Sequence, residues 1–574
     1  MNRNEKYKIL AKANAFFDFE NFWNSKTHAL SDLGAAQRLL EMDKAGMIPK
    51  FIYVEDEGNP RTGEWLKYDG KVWKPACMEE LKLYVDCMVS LVKDSAIAAF
   101  KARLASSKKK NKENKENKEN ESDDSSLDVR SKDNSSREER KIWAETVGEA
   151  ERFAQKYNSQ AGVKSALKAF QRLTYFVKGY KEFDADNFKI NVQDGYLDLK
   201  TRILTPHSAE HKCRKVMNAS FGHNDDGFYY NDFLPYINSF FPGSPDTCKY
   251  FQMLLGYCLT GDTSEQKLFF LYGSGKNGKS ALMNLVLGVW GDYGGVVPTG
   301  ALLSSKGDSA GEAPSPMIDR LEGMRLVLGH EIPASMRKLN EEKVKTLTGD
   351  AVITTRTLNK GGHSWLPQMK FLLDLNDLPE VSDPTAVSLR RRLRAIPFNA
   401  RFEGNSSFMH LERDERFRNA MLRFAVEGLV MLGAGMLDDW TGEWSDAKGL
   451  PSEMFETLRQ YYAESDSVTP FLTNYMKITQ DSSDFVSVNR LFSYFCDEHG
   501  RVMTAKSFGM KLNKILPALG CTPVSRNEGF VKRRGWAGIR ERTSADADDN
   551  DGRQEGSFNS TGKSVIEPDL LSKS

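Results

Sequence analysis

The stretch from Leu268 to Gly288, LFFLYGSGKNGKSALMNLVLG, constrains the fold of this chain more than any other. An apolar run is followed by a glycine-rich turn and then by a helix-like apolar pattern that opens on a lysine and a serine. A buried strand that leads directly into a helix is typical of parallel sheets, whose strands need crossover connections. Strand and helix patterns alternate from Lys267 to about Phe402, which predicts an α/β fold with a mainly parallel sheet.

The turn matches the spacing G-x-x-x-x-G-K-[ST] of a phosphate-binding loop. Its glycines let backbone N–H groups converge on phosphate oxygens, and the helix N-terminus adds partial positive charge. Lys279 would reach the β- and γ-phosphates of ATP, and the Ser280 hydroxyl would bind Mg²⁺. An ordinary glycine-rich turn is the alternative, but it would not need this strand-loop-helix setting. The predicted nucleotide-binding residues are Gly273, Ser274, Gly275, Lys276, Asn277, Gly278, Lys279 and Ser280.

Two later strand patterns end in polar residues that suit nucleotide chemistry. Glu331 follows the apolar run in GMRLVLGHEI, and Asn376 ends the run MKFLLDLN. Ligand groups of an open α/β sheet collect at the carboxyl ends of its strands. Glu331 could therefore hold the metal's water shell or polarise the attacking water, and Asn376 could orient that water. A surface acid and a turn asparagine are the alternatives for these two residues.

Three basic segments could act on nucleotide or DNA. SLRRRLRAIPF places arginines before a buried strand, where one could enter a neighbouring subunit's site or form a solvated basic face. Asn359 to His363 joins two strand-like runs and has hairpin chemistry with a cation at its tip.

The third basic segment, Arg501 to Arg542, holds ten Lys or Arg and two acids. An apolar helix face that ends before Pro517 precedes a strand-turn-strand pattern in CTPVSRNEGFVKRRGWAGIR. Helix plus hairpin predicts a winged-helix domain with Lys532, Arg533 and Arg534 on the wing contacting phosphates; a solvated basic face is the alternative.

Composition limits the class of protein. The length of 574 residues exceeds one ordinary core, and no apolar stretch of roughly 18 residues occurs, so we expect a multidomain cytoplasmic protein without a membrane span. The seven cysteines form no C-x-x-C pair, which argues against a zinc ribbon. A formal net charge of +1 requires any DNA-binding charge to be concentrated locally.

The runs RLEGMRLVLGHEI, LNEEKVKTLTGDAVITTRTLNK and QMKFLLDLNDLPEVSDPTAVSLRRRLRAIPF resemble the superfamily 3 helicase domain in the replicative branch of phages, satellite phages, plasmids and poxviruses. Upstream, GEWLKYDGKVW, FDADNFKINVQDGYLDLKTRILTPH and YFQMLLGYCLTGDTSEQKLFFLYGSGKNGKS resemble the poxvirus-type domain that precedes that motor. The likeness covers roughly Glu64 to Arg540 apart from a polar linker at 106–140. It implies an AAA+ type hexameric ring that hydrolyses ATP between subunits and moves 3′ to 5′ on single-stranded DNA.

By this resemblance, Lys279 and Ser280 are the Walker A pair, Glu331 is the Walker B carboxylate that serves the metal, and Asn376 is the sensor. The finger that acts in trans is Arg391 or Arg392. The hairpin before the sensor would project into a central pore and follow the DNA backbone; an exposed hairpin with an incidental lysine is the alternative. The implied DNA-binding residues are Lys360 and His363 at the tip, with Lys345 and Arg356 in support.

The chain departs from this family pattern in two places. The Walker B motif reads His330-Glu331, so it lacks an adjacent pair of acids. Asp194-Gly195 stands where the family usually has Asn-Gly, which keeps the turn but changes its charge.

The sequence therefore predicts an ATP-dependent DNA helicase in the replication of a phage, plasmid or other mobile element. Its cofactors would be ATP and Mg²⁺, and its partners single-stranded and forked DNA, further copies of itself, and a separate primase or replication protein. The alternatives are an ATP-binding initiator or regulator without processive unwinding, and a small-molecule P-loop kinase. We expect no primer synthesis, since no paired-acid and histidine set suits nucleotidyl transfer.

The expected segments differ in composition and pattern, and Asp69-Gly70 in GEWLKYDGKVWKP predicts a tight β-hairpin within the first of them. They are an N-terminal α+β segment 1–105, a disordered linker 106–140 rich in Asn-Lys-Glu, a helicase-preceding domain 141–262, the AAA+ type ATPase domain 263–402, a helical segment 403–475, a winged-helix domain 476–543 and a disordered acidic tail 544–574.

Overall fold

Buried apolar side chains form several separate cores in the part of the chain that the structure, a computed structural model, describes. The largest core spans residues 190–462, one precedes it within 35–170, and one follows it within 468–539. The described residues are 29–56, 59–116, 127–174, 176–222, 227–273, 275–298, 318, 320–330, 339–349, 352–356, 362–376, 378–379, 381, 386–402, 410–433, 435–443, 449–465, 468–499, 505–528 and 531–543.

The N-terminal unit packs helices against a small sheet of order β3-β2-β1-β4. Its elements are α1 (Asp32–Lys44), β1 (Phe51–Asp56), β2 (Asn59–Tyr68), β3 (Trp73–Pro75), α2 (Met78–Glu116), α3 (Leu127–Tyr157), α4 (Gln160–Leu173) and β4 (Phe176–Lys178). The predicted tight hairpin at Asp69-Gly70 is confirmed, because the Asp69 carboxylate accepts the N–H groups of Lys71 and Val72 at 2.9 Å each. Gly70 has a φ of +105°, which favours glycine.

The predicted disordered linker over 106–140 is wrong for most of its length. Helix α2 continues through Glu116 and α3 begins at Leu127, while 117–126 lie outside the described residues. The rings of Phe100 and Trp143 meet edge-on at 4.9 Å and join the two helices. Lys and Glu favour helices even where they bury nothing, and a helix already nucleated on an apolar face adds one hydrogen bond per further residue.

The predicted domain 141–262 is divided between two cores. Helices α3 and α4 pack into the N-terminal core, whereas the residues from 190 onwards join the largest core. Its second part contains β5 (Lys189–Val192), β6 (Gly195–Asp198), β7 (Leu204–Thr205), a 3-10 turn (Ala209–His211), a π-helical turn (Tyr229–Phe233), α5 (Leu234–Asn238) and α6 (Pro245–Leu259). At the β5–β6 turn the Asp194 carboxylate accepts the N–H groups of Phe221 (2.9 Å) and Gly222 (2.7 Å), one with each oxygen. An asparagine would offer only one oxygen, which gives a physical reason for aspartate here.

The predicted parallel sheet is confirmed. Its strands follow the order β14-β8-β13-β10-β9, and every neighbouring pair is parallel. This region contains β8 (Leu268–Tyr272), α7 (Lys279–Trp290), β9 (Gly294–Pro298), β10 (Leu326–His330), α8 (Glu341–Thr348), β11 (Ile353–Arg356), β12 (Gly362–Trp365), β13 (Lys370–Leu375), α9 (Val387–Arg390) and β14 (Leu393–Pro397). The chain leaves β8 towards one edge of the sheet and leaves β13 towards the other. Such a reversal opens a crevice at the carboxyl ends of these adjacent strands.

After the sheet, α10 (Glu415–Leu432) packs closely along α6. A Cβ on Gly256 would stand 2.2 Å from the backbone nitrogen of Leu429, and one on Gly428 would stand 2.0 Å from the Gln252 oxygen. These glycines allow the two backbones to touch. Helix α11 (Ser452–Ser465) then packs beside β14.

The C-terminal unit begins earlier than predicted. The ring of Phe471 meets that of Phe495 edge-on at 5.3 Å within the last core, so the boundary lies near 467 rather than 476. The unit contains α12 (Val468–Tyr475), β15 (Met476–Ile478), β16 (Phe485–Ser487), α13 (Val488–His499), α14 (Ala505–Ala518), β17 (Thr522–Glu528), β18 (Val531–Ala537) and β19 (Ile539–Glu541). The predicted hairpin is present as antiparallel β17 and β18. The tail 544–574 lies outside the described residues. None of the described helices is both long and apolar enough to cross a membrane.

Candidate nucleotide-binding site

The predicted phosphate loop follows β8 and opens α7, at the crevice between the carboxyl ends of β8 and β13. Gly275, Lys276 and Gly278 have φ values of +89°, +51° and +73°, while Ser274 lies outside the described residues. Backbone N–H groups in such a left-handed run form a concavity suited to anions. Helix α7 has no side-chain cap at Gly278, so its first turn presents backbone donors towards the crevice.

Packing explains why small residues and an asparagine occupy the loop. A Cβ on Gly273 would stand 2.6 Å from the backbone oxygen of Phe398, and one on Gly278 would stand 2.5 Å from the ring of Phe240. Asn277 is buried and donates from Nδ2 to the same Phe398 oxygen at 3.3 Å. The loop therefore packs directly against the end of β14.

Lys279 is buried and bridges the two strand ends. Its Nζ donates to the backbone oxygens of Gly273 (2.9 Å) and Leu375 (2.7 Å) and to Asn376 Oδ1 (3.4 Å). It also lies 3.2 Å from Asp374 Oδ1. Burial lowers the pKa of Lys279, and the Asp374 carboxylate opposes that shift. The structure thus brings two of the predicted site residues, Lys279 and Asn376, into contact.

Asp374 is a site residue that the sequence reasoning missed. Its Oδ2 accepts the Ser280 hydroxyl at 3.3 Å, so it contacts both predicted Walker A residues. Asp374 is inside the apolar run of β13, two positions before Asn376, and alternation along a strand places both on one side. A single acid in an otherwise apolar strand was the available signal.

The oxygen donors at this crevice fit a magnesium ion that arrives with a nucleotide. Mg²⁺ prefers oxygen ligands and usually binds one or two carboxylates together with phosphates and water. Ser280 Oγ is exposed and Asp374 is beside it. Within the described part of the chain no group of three or more His, Cys, Asp or Glu side chains could hold a metal by itself. Glu331 follows β10 directly but lies outside the described residues.

The candidate finger arginines lie at the other end of the sheet. The Leu268 N–H donates to the Arg392 backbone oxygen at 2.8 Å, so this turn flanks the amino end of β8. A strand rise of about 3.3 Å per residue puts it about 16 Å from Gly273. Arg391 is exposed, whereas Arg392 is 9% exposed and donates to Ser388 O at 2.8 Å. Neither is positioned to serve the phosphate loop of its own chain.

Arg394, from the same basic cluster, belongs to a buried ionic group. It donates from Nε to Asp438 Oδ2 at 2.8 Å, and Lys267 Nζ lies 3.2 Å from the same carboxylate. Tyr250 donates its hydroxyl to Asp438 at 2.8 Å, and Glu265 pairs with Lys267. Burial alone would raise the pKa of Asp438, but the hydrogen bonds and charge of Arg394 outweigh it and lower that pKa to about 2. This arginine is structural.

Two further buried cations lie at the amino ends of strands of the sheet and were also missed. Lys370, the first residue of β13, donates to the backbone oxygens of Asp262 (3.1 Å) and Gln368 (3.2 Å), and burial lowers its pKa to about 7. Arg325, before β10, donates to the backbone oxygens of Asp186 (2.9 Å) and Lys189 (2.7 Å). Both cations tie the amino edge of the sheet to preceding segments.

The predicted hairpin before the sensor is present as antiparallel β11 and β12. Arg356 pairs with Gly362 at the last described position, and Lys360 is in the tip outside the described residues. His363 pairs with Thr355 inside the ladder, so its predicted place at the tip is wrong. The strands end at Arg356 and Gly362, so the segment that joins them begins two positions earlier than predicted. Lys345 is exposed on α8.

The three predicted wing residues are exposed but lie on strand β18 rather than at the turn. Lys532 pairs with Asn527, Arg533 with Arg526, and Arg534 with Ser525. Since successive side chains of a strand point to opposite faces, Arg533 faces away from its two neighbours. All three lie on the predicted hairpin, and their contact with phosphates stays a prediction.

Residues 57–256 match the protein family described as D5 N terminal like. Two viral proteins named "Putative helicase" are similar in sequence. One, from Acanthamoeba polyphaga mimivirus, is 29% identical over 276 residues, which is 45% of this chain and 28% of that protein. The other, from Sputnik virophage, is 26% identical over 309 residues, which is 52% of this chain and 38% of that protein.

Primase D5 of fowlpox virus is 24% identical over 168 residues, or 28% of this chain and 20% of that protein. This chain therefore spans less than half the length of the curated relatives it matches. Among solved structures, the apo C-terminal region of NrS-1 is 12% identical with a TM-score of 0.34, covering 56% of this chain and 77% of that one.

Proposed function

We propose that this chain, which belongs to the D5-type primase-helicase family through its D5 N-terminal-like domain, is an ATP-dependent DNA helicase of the superfamily 3 type acting in the replication of a phage, plasmid or other mobile element. Relatives named as helicases and as a primase support a role in replication. The observation that carries the proposal is Lys279, a buried ammonium held where β8 and β13 end.

This arrangement is best suited to an AAA+ type phosphate loop. The backbone donors after Gly275 and the Lys279 ammonium would bind the phosphates of ATP. Ser280 and Glu331 would hold Mg²⁺, which supplies charge neutralisation at the phosphates when bound. Asn376, exposed and beside Lys279, is suited to orient a water molecule.

Hydrolysis at a boundary between subunits, in a hexameric ring, is supported by the position of Arg391. It is exposed, and about 16 Å of strand separates it from the phosphate loop of its own chain. A neighbouring copy could bring this guanidinium to the phosphates, where it would stabilise transition-state charge. Arg392 is the weaker candidate because it is mostly buried.

DNA would be contacted by two surfaces. The hairpin of β11 and β12 carries Lys360 beyond its last described pair, and six copies would concentrate cations in a channel. The helices and hairpin of the C-terminal unit have the element order of a winged helix, with exposed Lys532 and Arg534 available to phosphates. Movement would run 3′ to 5′.

The deciding experiment is ATP hydrolysis with and without single-stranded DNA, together with strand displacement on 3′-tailed and 5′-tailed duplexes. We expect DNA to stimulate hydrolysis and the 3′-tailed duplex to be unwound. Lys279→Ala should lower hydrolysis by about 10²–10³-fold and stop detectable unwinding, while Lys249→Ala, an exposed lysine on α6, should change neither. DNA binding without unwinding would favour an initiator, and hydrolysis indifferent to DNA would favour a small-molecule kinase.

A mixing experiment tests the shared site. Arg391→Ala should reduce turnover by about 10³-fold, as expected for a finger supplied in trans. Mixing it with Lys279→Ala should restore part of the activity, because an intact Arg391 can then face an intact Lys279. No recovery in mixed particles of confirmed hexameric mass would contradict the assignment.

A further inference from the structure

The Walker B motif of this chain leaves one role unassigned. Phosphate-loop ATPases hold Mg²⁺ with the loop Ser or Thr and with an acid of the Walker B strand. Here His330 precedes Glu331, so the strand offers one carboxylate where two functions, metal and water, need to be served. The nearest strand to β10 on the side of the phosphate loop is β13.

We propose that Asp374, on β13, supplies a second carboxylate to the Mg²⁺ site, in addition to the single one that the Walker B strand offers. The proposal rests on the nucleotide site proposed above. In the sheet register Asp374 is the direct partner of His330. The carboxylate therefore lies on the neighbouring strand, at the level of the Walker B residue that is not an acid here. Its Oδ2 accepts the Ser280 hydroxyl at 3.3 Å, which places it against the predicted metal ligand.

Asp374 also holds Lys279. Lys279 Nζ lies 3.2 Å from Asp374 Oδ1, so the two charges neutralise each other. The Lys279 side chain is 3% exposed and the Asp374 side chain is 14% exposed. Phosphates that approach Lys279 must share it with this carboxylate. Without a divalent cation the negative charge of Asp374 repels them, and with one the same carboxylate helps to hold it.

Asp374 should therefore make nucleotide affinity depend on Mg²⁺. The test is the dissociation constant of a fluorescent ADP analogue in excess Mg²⁺ and in excess EDTA. For the wild type we expect tighter binding in Mg²⁺. In Asp374→Asn the ratio of the two constants should shrink about tenfold, because binding in EDTA improves or holds while binding in Mg²⁺ weakens. Asp246→Asn, an exposed acid at the start of α6, is the matched control.

A double-mutant cycle separates this role from simple placement of Lys279. Ser280→Ala should reduce the same ratio, and combining it with Asp374→Asn should add little, since both would serve one cation. Asp374→Glu keeps the charge and should retain part of the Mg²⁺ dependence. The circular dichroism of each variant shows whether it is folded.

Three results would overturn the assignment. Unchanged dissociation constants in both conditions, in a folded Asp374→Asn, remove Asp374 from the nucleotide site. Equal loss of affinity in Mg²⁺ and EDTA makes it a support for Lys279 alone. A wild-type protein that binds the analogue in neither condition refutes the nucleotide site itself, which is a distinct outcome because no variant is needed to see it.

Discussion

The two ends of β8 carry the same pair of residue types in opposite surroundings. At the amino end, Lys267 Nζ lies 3.2 Å from Asp438, and at the carboxyl end Lys279 Nζ lies 3.2 Å from Asp374. The Asp438 side chain is 0% exposed and also pairs with Arg394, whereas the Asp374 side chain is 14% exposed. The two Lys–Asp distances are therefore equal, although the ionic group at the amino end is closed to solvent and the pair at the carboxyl end is open to it.

The difference shows how one strand can combine stability and function. The amino-end group is enclosed by protein partners, so it has nowhere to receive a ligand. The carboxyl-end pair borders exposed Ser280 and Asn376, and a ligand can replace one of its contacts. A buried charge that loses its partner is costly, whereas a partly solvated one can exchange partners with water.

The largest expected effect is at the closed end. Asp438→Ala leaves the buried guanidinium and ammonium without their carboxylate, so we expect the free energy of unfolding to fall by about 3–5 kcal/mol. The measurement is the urea midpoint followed by circular dichroism. Asp439→Ala, the adjacent exposed acid, should shift stability by no more than about 0.5 kcal/mol. A loss below about 1 kcal/mol for Asp438→Ala would erase the distinction between the two ends.

Lys279→Ala should produce the opposite profile. We expect ATP hydrolysis to fall by about 10²–10³-fold, equal to about 2.7–4 kcal/mol of transition-state stabilisation. The free energy of unfolding should change by no more than about 1 kcal/mol, because burial offsets much of the attraction in the pair and Asp374 can regain water. Steady-state hydrolysis and urea unfolding measure the two quantities. A destabilisation as large as that of Asp438→Ala would show that this end is structural as well.

Lowering the pH should weaken the ionic group at the amino end of β8, because Asp438 becomes protonated. The folded pKa of Asp438 is about 2 and its ordinary value is 3.8, so its stabilising contribution is present above about pH 4 and is lost as the pH falls through about 2. This contribution is about 2 kcal/mol. The difference in unfolding free energy between wild type and Asp438→Asn should narrow by about that amount from pH 5 to pH 2. A constant difference would contradict the lowered pKa.

The smallest expected effect is on stability at the open end. Ser280→Ala should change the free energy of unfolding by no more than about 0.5 kcal/mol, since Ser280 is exposed and its bond to Asp374 is at the surface. Ser280→Thr keeps the hydroxyl and should match the wild type in nucleotide binding as well. Urea unfolding of both variants supplies the comparison, and a clear loss for the alanine variant would mean that the hydroxyl supports the fold.

Much of the fold could be predicted because its signals are local. The strand-loop-helix at Leu268 to Gly288, the parallel sheet, and the hairpins at Asp69-Gly70 and before the sensor are all present. Periodicity, glycine positions and turn residues act within a few residues of themselves, so each can be recognised without knowing the rest of the chain. The linker prediction failed because composition alone did not register the helices it continues.

The sequence by itself determined the strand-loop-helix that contains the predicted phosphate loop, and it indicated which strand ends accompany it. Only the tertiary structure decided their partners. Ser280 meets Asp374 across 94 positions of chain, and Arg394, one of a row of similar arginines, meets Asp438 across 44. Neither pairing leaves a local pattern in the sequence. A charged residue next to an apolar run has the same local sequence whether its side chain is in solvent or pairs with an acid from another part of the chain. Long-range packing alone separated the closed group from the open one.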